Sequence, residues 1–524
     1  MTSKESGQRS GMLAVTVDTE KLDYDIHSLV KAFYQEEEVK VLSPSTDREK
    51  VNDLKKYLFM EIILKGGLQK IVFYAKDPEG IPQSEREFSF SVENLFKDGE
   101  TLSKEGKHLF KSRLYQSLSE YTGRSLPWGN LTGIRPTKIA MGMLSSGKDD
   151  EEIARFMEEA HFVSRKKAKL SVEIARRERK ILKPLHGEEG YSIYIGIPFC
   201  PTTCLYCSFT SYPICVYEDV VDRYIECLCR EIDHVAEAYR GKALDSIYIG
   251  GGTPTTLSPS CLDRLLSHLD KTFDLSEILE FTVEAGRADS ITREKLSVLK
   301  DHKISRISIN PQTMKEETLK LIGRRHTAEQ VKEAFFLARD MGFDNINMDM
   351  ILGLPGENEE DVAKTVSEIE KLDPDSLTVH SLAVKRASRL REWTRENGSG
   401  NLYPLGDVCD PEETMAAAAK GAEAMNMHPY YLYRQKNMTG NLENVGYARE
   451  GKYGIYNILI MEEVQTIMAL GAGSISKVLL PGGRIERADN VKDVRLYIEK
   501  FDEMLKRKDA LFQLQKDEGW LGKL

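Results

Sequence analysis

Residues 191–207 read YSIYIGIPFCPTTCLYC, an apolar run that passes directly into a loop with three cysteines. The run YSIYIGIPF is typical of a strand that is buried on both faces of a parallel sheet. The two prolines that flank the first cysteine disrupt helix and strand, so the cysteines should project from an irregular turn. Because chemistry in parallel α/β proteins lies at the carboxyl ends of the strands, Cys200, Cys204 and Cys207 are the first candidate functional residues.

Five more units of the same kind follow, each an apolar run and then a helix-length segment. The runs read DSIYIGG, EFTVEAG, SRISINPQ, NINMDMILGLP and SLTVHSLAV, and the helical segments are 217–240, 258–272, 292–301, 314–341 and 358–372. Six β-α units predict a parallel sheet covered by helices, either curled into a barrel or wound on both sides. Residues with chemical potential stand at the ends of these strands as well, namely Gly250–Thr253, Glu284, Gln312 and Asp349.

The regions before and after the repeating units have a different rhythm. Residues 1–185 mix short strands such as MLAVTV, LFMEIIL and KIVFYA with the helices DIHSLVKAFYQE and KHLFKSRLYQSLSEYTG, which predicts an α+β N-terminal domain. Residues 391–524 contain helix-length segments at 413–427, 459–469 and 491–508, which predicts a mostly helical C-terminal subdomain. The repeating units then form a domain over residues 186–390.

Composition narrows the class of protein. The 524 residues include 73 Lys and Arg against 83 Asp and Glu, a net charge of −10, with 41% hydrophobic residues. These proportions exclude a mostly disordered chain, and the acidic balance argues against a nucleic-acid partner. No apolar run is long enough for a membrane span or a signal peptide, so we expect a cytoplasmic protein.

The spacing of the three cysteines indicates a soft metal. Thiolates held close together repel one another unless a cation neutralises them, which favours zinc or an iron–sulfur cluster. Zinc would need a fourth ligand, for which Cys215 is available further along the chain. Three cysteines on a four-iron cube leave one iron without a protein ligand, and an open position is typical of a catalytic metal. Three free cysteines that act as small hydrophobic residues are the non-functional alternative.

The segment Gly250–Thr255 reads GGGTPT and follows the second strand. Glycines allow a backbone to approach a ligand closely, and a cluster of amides suits a carboxylate. A tight turn before the helix that begins near Ser258 is the structural alternative. Since the segment lies in register with the cysteine loop, we expect it to contact a ligand.

From Tyr194 to Cys207, the pattern Y-x-x-x-x-x-C-x-x-x-C-x-Y-C resembles the radical S-adenosylmethionine (SAM) enzymes. More narrowly, the chain resembles the oxygen-independent coproporphyrinogen III oxidase (dehydrogenase) group in its HemZ-type branch, also through LPWGNLTGIRPTK and RISINPQTM. The resemblance implies a partial parallel (β/α)6 radical SAM barrel over residues 186–390, with residues 391–524 as a cap. It also implies two cofactors, a [4Fe-4S] cluster and one or two molecules of SAM.

The resemblance assigns site residues by position. The implied cluster ligands are Cys200, Cys204 and Cys207. The residues implied to bind the first SAM or to lie beside it and the cluster are Tyr194, Tyr206, Gly251, Gly252, Thr253 and Glu284, of which Tyr194 and Glu284 are implied to be catalytic. The residues implied to contact a second SAM are Gln312, Arg324 and Asp349. A carboxylate in the apolar strand of Asp349 needs a partner, either ribose hydroxyls or Arg324; His380 and Ser381, which end the sixth strand, are further ligand candidates.

Three departures from the family pattern bear on the substrate. The coproporphyrinogen dehydrogenases carry a fourth cysteine where this chain has Phe209, which is closer to the heme-chaperone relatives. The family's E-V-D-P reads Glu284 to Arg287 as EAGR. The chaperones' heme motif H-N-x-x-Y-W is not intact, because the comparable stretch GIYNILIMEE contains Asn457 but no tryptophan.

The implied activity is the oxidative decarboxylation of coproporphyrinogen III to protoporphyrinogen IX, with an electron donor such as flavodoxin or ferredoxin. The alternatives are a heme-binding chaperone-like protein without this turnover and a radical SAM enzyme that acts on another tetrapyrrole. A tetracarboxylate substrate needs cationic groups. The candidates are Arg135, Lys138, Arg287, Lys385 and Arg386.

Overall fold

The computed structural model describes residues 12–35, 37–44, 58–65, 68–76, 82–91, 96–97, 101–133, 135–385, 388–390, 392–393, 410–435 and 438–521. The chain divides into two compact units. The first comprises Met1–Glu173, Ser381–Asp407 and Arg434–Glu443, and the second comprises Ile174–His380, Val408–Tyr433 and Asn444–Leu524. The second unit thus combines the repeating units with most of the C-terminal region. The domain limits expected at residues 185 and 390 stay a prediction.

The first unit contains a five-stranded sheet in the order β2-β1-β3-β4-β5. Its strands are β1 (Met12–Val17), β2 (Glu38–Leu42), β3 (Leu58–Lys65), β4 (Leu68–Lys76) and β5 (Pro82–Ser91), followed by the short pair β6 (Phe96–Lys97) and β7 (Thr101–Leu102). β1 runs parallel to β2 and β3, and β4 pairs antiparallel with β3 and β5. Leu13, Val15 and Val17 enter the core from β1 because alternate side chains of a strand point to one face.

In the described residues before β8, the helices are α1 (Asp23–Phe33), α2 (Lys104–Thr122), α3 (Thr137–Ser145), α4 (Asp150–His161) and α5 (Arg165–Ile181). α1 contributes Ile26, Leu29, Val30 and Phe33 to the core at helical spacing. Ser103 caps α2 by accepting a hydrogen bond from the Gly106 amide, and the helix ends at Gly123 in the left-handed conformation. The two helices and three strands expected in this region are confirmed.

The segment LPWGNLTGIRPTK is anchored by a buried carboxylate in the same unit. The Trp128 indole N–H donates to Glu443 at 2.7 Å, and Lys167 forms an ion pair with the same carboxylate. Gly129 has a φ of +53°, and a Cβ there would clash with the His161 carbonyl oxygen. This close approach explains why a glycine follows the tryptophan.

The second unit contains an eleven-stranded sheet in the order β16-β17-β15-β14-β13-β12-β11-β8-β18-β19-β20. The strands up to residue 381 are β8 (Gly190–Ile197), β9 (Phe199–Cys200), β10 (Tyr212–Pro213), β11 (Ala243–Gly251), β12 (Glu280–Glu284), β13 (Arg306–Ser308), β14 (Ile346–Leu352) and β15 (Ser376–Ser381). β8, β11, β12, β13 and β14 pair in parallel in that order, with β15 next. The expected radical SAM α/β fold with a parallel core sheet is confirmed.

Helices connect these strands, namely α6 (Val221–Ala238), α7 (Pro259–Thr272), α8 (Arg293–Asp301), α9 (Glu316–Leu321), α10 (Ala328–Asp340) and α11 (Glu359–Leu372). Their starting points follow from capping residues. Ser258 caps α7 with Pro259 at the first helical position, and Asn358 and Asp361 form a capping box on α11. The single helix expected over 314–341 is two helices, because the chain turns at Gly323 with a φ of +79°.

The C-terminal region adds helices and strands to the second unit. The helices are α12 (Pro411–Ala424), α13 (Ile455–Glu462), α14 (Val494–Glu499) and α15 (Phe501–Asp517), and the strands are β16 (His428–Tyr433), β17 (Asn444–Ala448), β18 (Thr466–Leu470), β19 (Ile475–Leu480) and β20 (Arg484–Asp489). β18 pairs in parallel with β8, and β17 pairs antiparallel with β15. The helix expected at 459–469 was wrong for residues 466–469, which belong to β18, because a short, wholly buried apolar run has no period that separates strand from helix. Across the described ranges, we find no helix with the length and apolar character of a membrane span.

Candidate functional site

The cysteine loop begins at the end of β8 and is fixed at both of its sides. Cys200 lies in β9, which pairs with β10 beyond the loop. The Leu205 amide donates to the Ile322 carbonyl at 2.9 Å, and the Cys207 amide donates to the Cys204 carbonyl at 3.2 Å. Cys200 and Cys204 are buried and Cys207 is half-buried. The loop thus presents three buried or half-buried thiols, and it is the irregular turn that the prolines indicate.

Each thiol has a polar neighbour. The Cys200 sulfur lies 3.4 Å from the Thr253 hydroxyl, and the Cys207 sulfur lies 3.6 Å from the Ser211 hydroxyl. Burial raises the pKa of the Cys200 thiol to about 11, and the charges of Cys204 and Cys207 raise it further. Burial therefore keeps the Cys200 thiol protonated when no cation is bound.

This donor set fits an iron–sulfur cluster. Buried thiols whose charges oppose one another become good ligands once a cation compensates them. In the described part of the chain, no three His, Cys, Asp or Glu side chains converge on one ion position. A four-iron cluster requires a different arrangement, since each thiolate binds a separate iron.

The glycine motif joins the ends of β8 and β11. The Gly252 amide donates to the Ile197 carbonyl at 2.8 Å, and the Thr253 amide donates to the Phe199 carbonyl at 2.7 Å. A Cβ at Gly252 would lie 2.6 Å from the Phe199 carbonyl oxygen. These amides therefore already have acceptors in the protein, and the expected cluster of free amides is absent at these two residues. Contacts between this motif and SAM stay a prediction, which depends on the close approach that glycines allow because they have no side chain.

Glu284 lies at the end of β12, next to the glycine motif. The Tyr248 hydroxyl donates to Glu284 Oε1 at 2.6 Å, and the Gly251 amide donates to the same carboxyl group. Burial raises the pKa of Glu284 to about 7, and the charge of Asp349 adds to the rise. Without a ligand, this carboxyl group is therefore poised between its two protonation states near neutral pH.

Three tyrosine rings stack beside Glu284. Tyr194 lies 5.8 Å from Tyr456 and 6.2 Å from Tyr248 between ring centroids, and Tyr248 lies 4.5 Å from Tyr456. Burial and the nearby Glu284 raise the pKa of Tyr194, so its hydroxyl stays protonated. The sequence analysis missed Tyr456, because it lies on α13 in the C-terminal region and no motif links it to β8.

A row of polar residues follows β13 towards the site. Ser308, Asn310 and Gln312 stand two residues apart, and all three are buried. Ser308 Oγ, Asn310 Oδ1 and Gln312 Oε1 have no hydrogen-bond partner among the residues that the structure describes. Buried polar atoms are nearly always satisfied, so these three are candidates to bind a polar ligand. Only Gln312 was predicted from the sequence.

Asp349 has a different partner from the one expected. The Asn347 amide donates to Asp349 Oδ1 at 2.7 Å, and His380 Nε2 lies 3.7 Å from Asp349 Oδ2. Burial raises the pKa of Asp349, but the contact with His380 and the hydrogen bonds outweigh it, and the pKa lies below its usual value. The partner found in the protein is thus His380, which reaches Asp349 from the neighbouring strand β15, rather than Arg324; the alternative partner, a pair of ribose hydroxyls, stays a prediction.

Arg324 instead faces the cysteine loop. It is buried, and its guanidinium donates to the Tyr206 hydroxyl at 3.2 Å and to the carbonyls of Gly286 and Asn310. Arg287 is also buried there, held by Asp289. Arg287 is one of the five candidates for a substrate carboxylate; its guanidinium pairs with Asp289 in the protein, and a role towards the substrate stays a prediction.

The other candidate cations lie in the first unit or outside the described residues. Arg135, Lys138 and Lys385 belong to the first unit, and Arg386 lies outside the residues that the structure describes. Ser381 is buried and donates to the Glu443 carbonyl at 2.9 Å. Its hydroxyl is therefore used by the protein, and substrate roles for the other residues stay predictions.

A parallel six-stranded core with a three-cysteine loop after its first strand and a glutamate at the end of its third defines the class of radical SAM proteins. The Radical SAM superfamily matches residues 194–369. The chain is 43% identical over 405 residues to the oxygen-independent coproporphyrinogen-III oxidase-like protein HemZ of Bacillus subtilis (strain 168), covering 76% of this chain and 80% of the relative. It is 31% identical over 309 residues to the heme chaperone HemW of the same organism, covering 59% of this chain and 75% of the relative.

The chain therefore belongs to the radical SAM family that contains HemZ and HemW, a family of coproporphyrinogen III oxidase-like proteins. Among solved structures, coproporphyrinogen III oxidase (HemN) from Escherichia coli is similar with a TM-score of 0.48 and 22% identity, covering 62% of this chain and 73% of that one. The cofactors of this superfamily are a [4Fe-4S] cluster and SAM.

Proposed function

We propose that the chain is a radical SAM oxidoreductase that converts coproporphyrinogen III to protoporphyrinogen IX. The observation that carries the proposal is the row of polar atoms on Ser308, Asn310 and Gln312 that lack a partner among the described residues. Glu284 lies opposite Ser308 on the neighbouring strand, and the same sheet leads into the loop with the three thiols. A structural protein has no need of such unsatisfied buried groups. The likeness to a relative described as coproporphyrinogen-III oxidase-like supports the choice of substrate.

Cys200, Cys204 and Cys207 would hold the cluster through three of its irons, and the fourth iron would be open to SAM. When bound, the reduced cluster and SAM supply a 5′-deoxyadenosyl radical that removes a hydrogen atom from the substrate. The half-buried loop limits access of water and oxygen to the sulfurs. The electron donor we propose is a flavodoxin or a ferredoxin.

Glu284 would orient the ribose of SAM. A carboxylate accepts two hydroxyl hydrogen bonds, and these bonds favour its charged form over the neutral one. Tyr248 fixes one oxygen through the 2.6 Å hydrogen bond, which holds the carboxyl plane before SAM arrives. Gln312, Arg324 and Asp349 are the residues we propose for a second SAM, and Asn310 adds an acceptor next to Gln312.

Two of the four propionate side chains would each lose one hydrogen atom from the β-carbon to the radical. The bond to the carboxylate carbon then breaks, CO2 leaves, and one electron passes to a one-electron acceptor, so that a vinyl group remains. The protein's part is to hold the β-carbon near the radical source and to exclude water. Two such steps per substrate give the product.

A heme carrier is the second candidate, because the relative HemW is described as a heme chaperone and Phe209 replaces the fourth cysteine. The contacts of the stretch comparable to the heme motif argue against it. Asn457 hydrogen-bonds to Tyr430, and Tyr456 is buried against Tyr194 and Tyr248. Neither side chain is available to a heme in this arrangement. Action on another tetrapyrrole is the third candidate.

Anaerobic product analysis separates these functions. Protein with a reconstituted cluster is given dithionite, SAM and coproporphyrinogen III, and we expect 5′-deoxyadenosine, CO2 and protoporphyrinogen IX. A Cys204→Ala variant serves as the control without a cluster. Formation of 5′-deoxyadenosine without loss of CO2 would reject this substrate but keep radical chemistry. Stable heme binding with no 5′-deoxyadenosine, from protein with an intact cluster, would select the carrier.

A further inference from the structure

Arg287 divides its guanidinium between a carboxylate and the cysteine loop. Nε and Nη2 donate to the two oxygens of Asp289 at 2.9 and 2.6 Å. Nη1 donates to the Thr202 carbonyl at 3.1 Å and to the Thr202 hydroxyl at 2.8 Å, and lies 3.8 Å from the Cys204 sulfur. One buried side chain thus fixes the loop backbone and reaches a proposed cluster ligand.

The backbone around Arg287 is held as firmly as its side chain. The Ser290 amide and hydroxyl both donate to the Arg287 carbonyl, at 3.0 and 2.7 Å. The Thr202 hydroxyl in turn donates to the Gly323 carbonyl at 2.8 Å. The guanidinium therefore has little freedom to turn away from Cys204, and a bidentate carboxylate contact keeps its plane fixed.

Charge near Cys204 is unevenly balanced. Asp289 compensates most of the charge of Arg287, whereas Arg324 contacts carbonyls, the Tyr206 hydroxyl and the Cys204 thiol rather than a carboxylate. Burial lowers the pKa of His326, which lies 3.6 Å from Asp289, so this ring stays neutral. Asp289 thus determines how much positive charge from Arg287 reaches the loop.

An N–H group that donates to a ligand sulfur stabilises the more negative, reduced state of an iron–sulfur cluster. We propose that Arg287 is a positioning residue for the cluster, one that raises its reduction potential through the contact with the Cys204 sulfur and whose effect Asp289 limits. The electron comes from an external reductant, and one electron takes the cluster from its oxidised to its reduced state. The inference rests on the proposed assignment of the three cysteines as cluster ligands.

The test is an anaerobic redox titration of the full chain with a reconstituted cluster, followed through the paramagnetic signal of the reduced cluster. Arg287→Met removes the donor and should lower the midpoint potential by about 59 mV, equal to a tenfold change in the ratio of reduced to oxidised cluster. Arg287→Lys should give a smaller shift. Asp289→Asn removes the compensating charge and should shift the potential upwards. Arg264→Met is the control and should leave the midpoint potential unchanged, because Arg264 is an exposed arginine of α7 that pairs with Asp222.

Opposite shifts for Arg287→Met and Asp289→Asn would support the proposal, because a purely structural role would lower iron content without shifts of opposite sign. An unchanged potential in Arg287→Met with full iron content would overturn it. If Arg287→Met cannot retain iron, Asp289→Asn decides, and a potential that is unchanged or lower there overturns the proposal. Parent protein that binds no iron at all would instead reject the cluster assignment, and absent decarboxylation with a normal titration would reject only the substrate.

Discussion

The hydroxyl of Tyr248 in β11 donates a 2.6 Å hydrogen bond to Oε1 of Glu284, which ends the neighbouring parallel strand β12. This contact fixes the carboxyl group that the family pattern assigns to SAM. The charge of Asp349 contributes to the raised pKa of Glu284, so the site combines two carboxyl groups with different proton affinities, Glu284 above its usual pKa and Asp349 below. Burial raises the pKa of Glu284 by more than the Tyr248 hydrogen bond lowers it, whereas the contacts of Asp349 with His380 and Asn347 outweigh its burial.

Replacement of Glu284 should weaken SAM binding. A hydrogen bond to a charged group contributes about 1.5–3 kcal/mol, so Glu284→Gln should raise the dissociation constant of SAM about 10–100-fold. Equilibrium binding with protein that has a full cluster measures it, and Glu294→Gln on α8 is the surface control. Equal affinities in the wild type and Glu284→Gln would remove Glu284 from the SAM site.

Glu284 should also make the free energy of unfolding depend on pH. Its pKa of about 7 in the folded protein lies above the value of about 4.3 for an exposed glutamate. The folded state therefore favours the neutral form, and this stabilisation is complete below pH about 4.3 and is lost as pH rises through about 7. The glutamine of Glu284→Gln does not titrate. The free energy of unfolding of the variant, measured by urea without SAM, should therefore rise relative to that of the wild type as pH increases over this range. Parallel profiles would contradict the shift.

Removal of a single thiol should abolish the cluster. Cys204→Ser lacks one of the three proposed ligands. We therefore expect the iron content to fall to background, together with the absorbance of the iron–sulfur cluster at about 400 nm. Cys215→Ser is the matched control, because Cys215 is exposed and has the same chemistry. Full iron retention in Cys204→Ser, or equal loss in Cys215→Ser, would speak against the assignment of the ligands.

The glycine motif should tolerate no side chain at its third position. A Cβ at Gly252 would lie 2.6 Å from the Phe199 carbonyl oxygen and 2.8 Å from that of Ile197, and both atoms are backbone. Gly252→Ala should therefore cost about 1–3 kcal/mol of stability, measured by denaturant unfolding. Gly142→Ala is the control, since nothing lies within 4 Å of its Cβ position and α3 gains a better helix former. Two variants of equal stability would show that the close approach is absent.

The tyrosine stack predicts a difference between two substitutions at one position. Tyr456→Ala removes a buried ring that packs against both Tyr194 and Tyr248 and should cost about 3–5 kcal/mol. Tyr456→Phe keeps the ring and should stay within about 1 kcal/mol of the wild type. Calorimetry compares the two variants, and a large loss in Tyr456→Phe would mean that the hydroxyl rather than the ring holds the site.

The sequence by itself determined the six strands of the core sheet and the loop that carries the cysteines. These features are local: a buried strand is a run of a few residues, and the three cysteines lie within one turn-rich segment. Periodicity and turn chemistry therefore suffice to predict them. The family resemblance rested on the same short motifs.

Only the tertiary structure decided the partners of the site residues. Arg324 and Tyr206 are 118 positions apart, Arg287 and Cys204 are 83 apart, and Tyr456 reaches the site from the C-terminal region. Their meeting depends on which strands become neighbours and where each loop turns, and no local pattern in the chain records this. The strand β18 (Thr466–Leu470, TIMAL), which pairs with β8, could not be predicted either, because a short, wholly buried apolar run has the same pattern in a helix and in a strand.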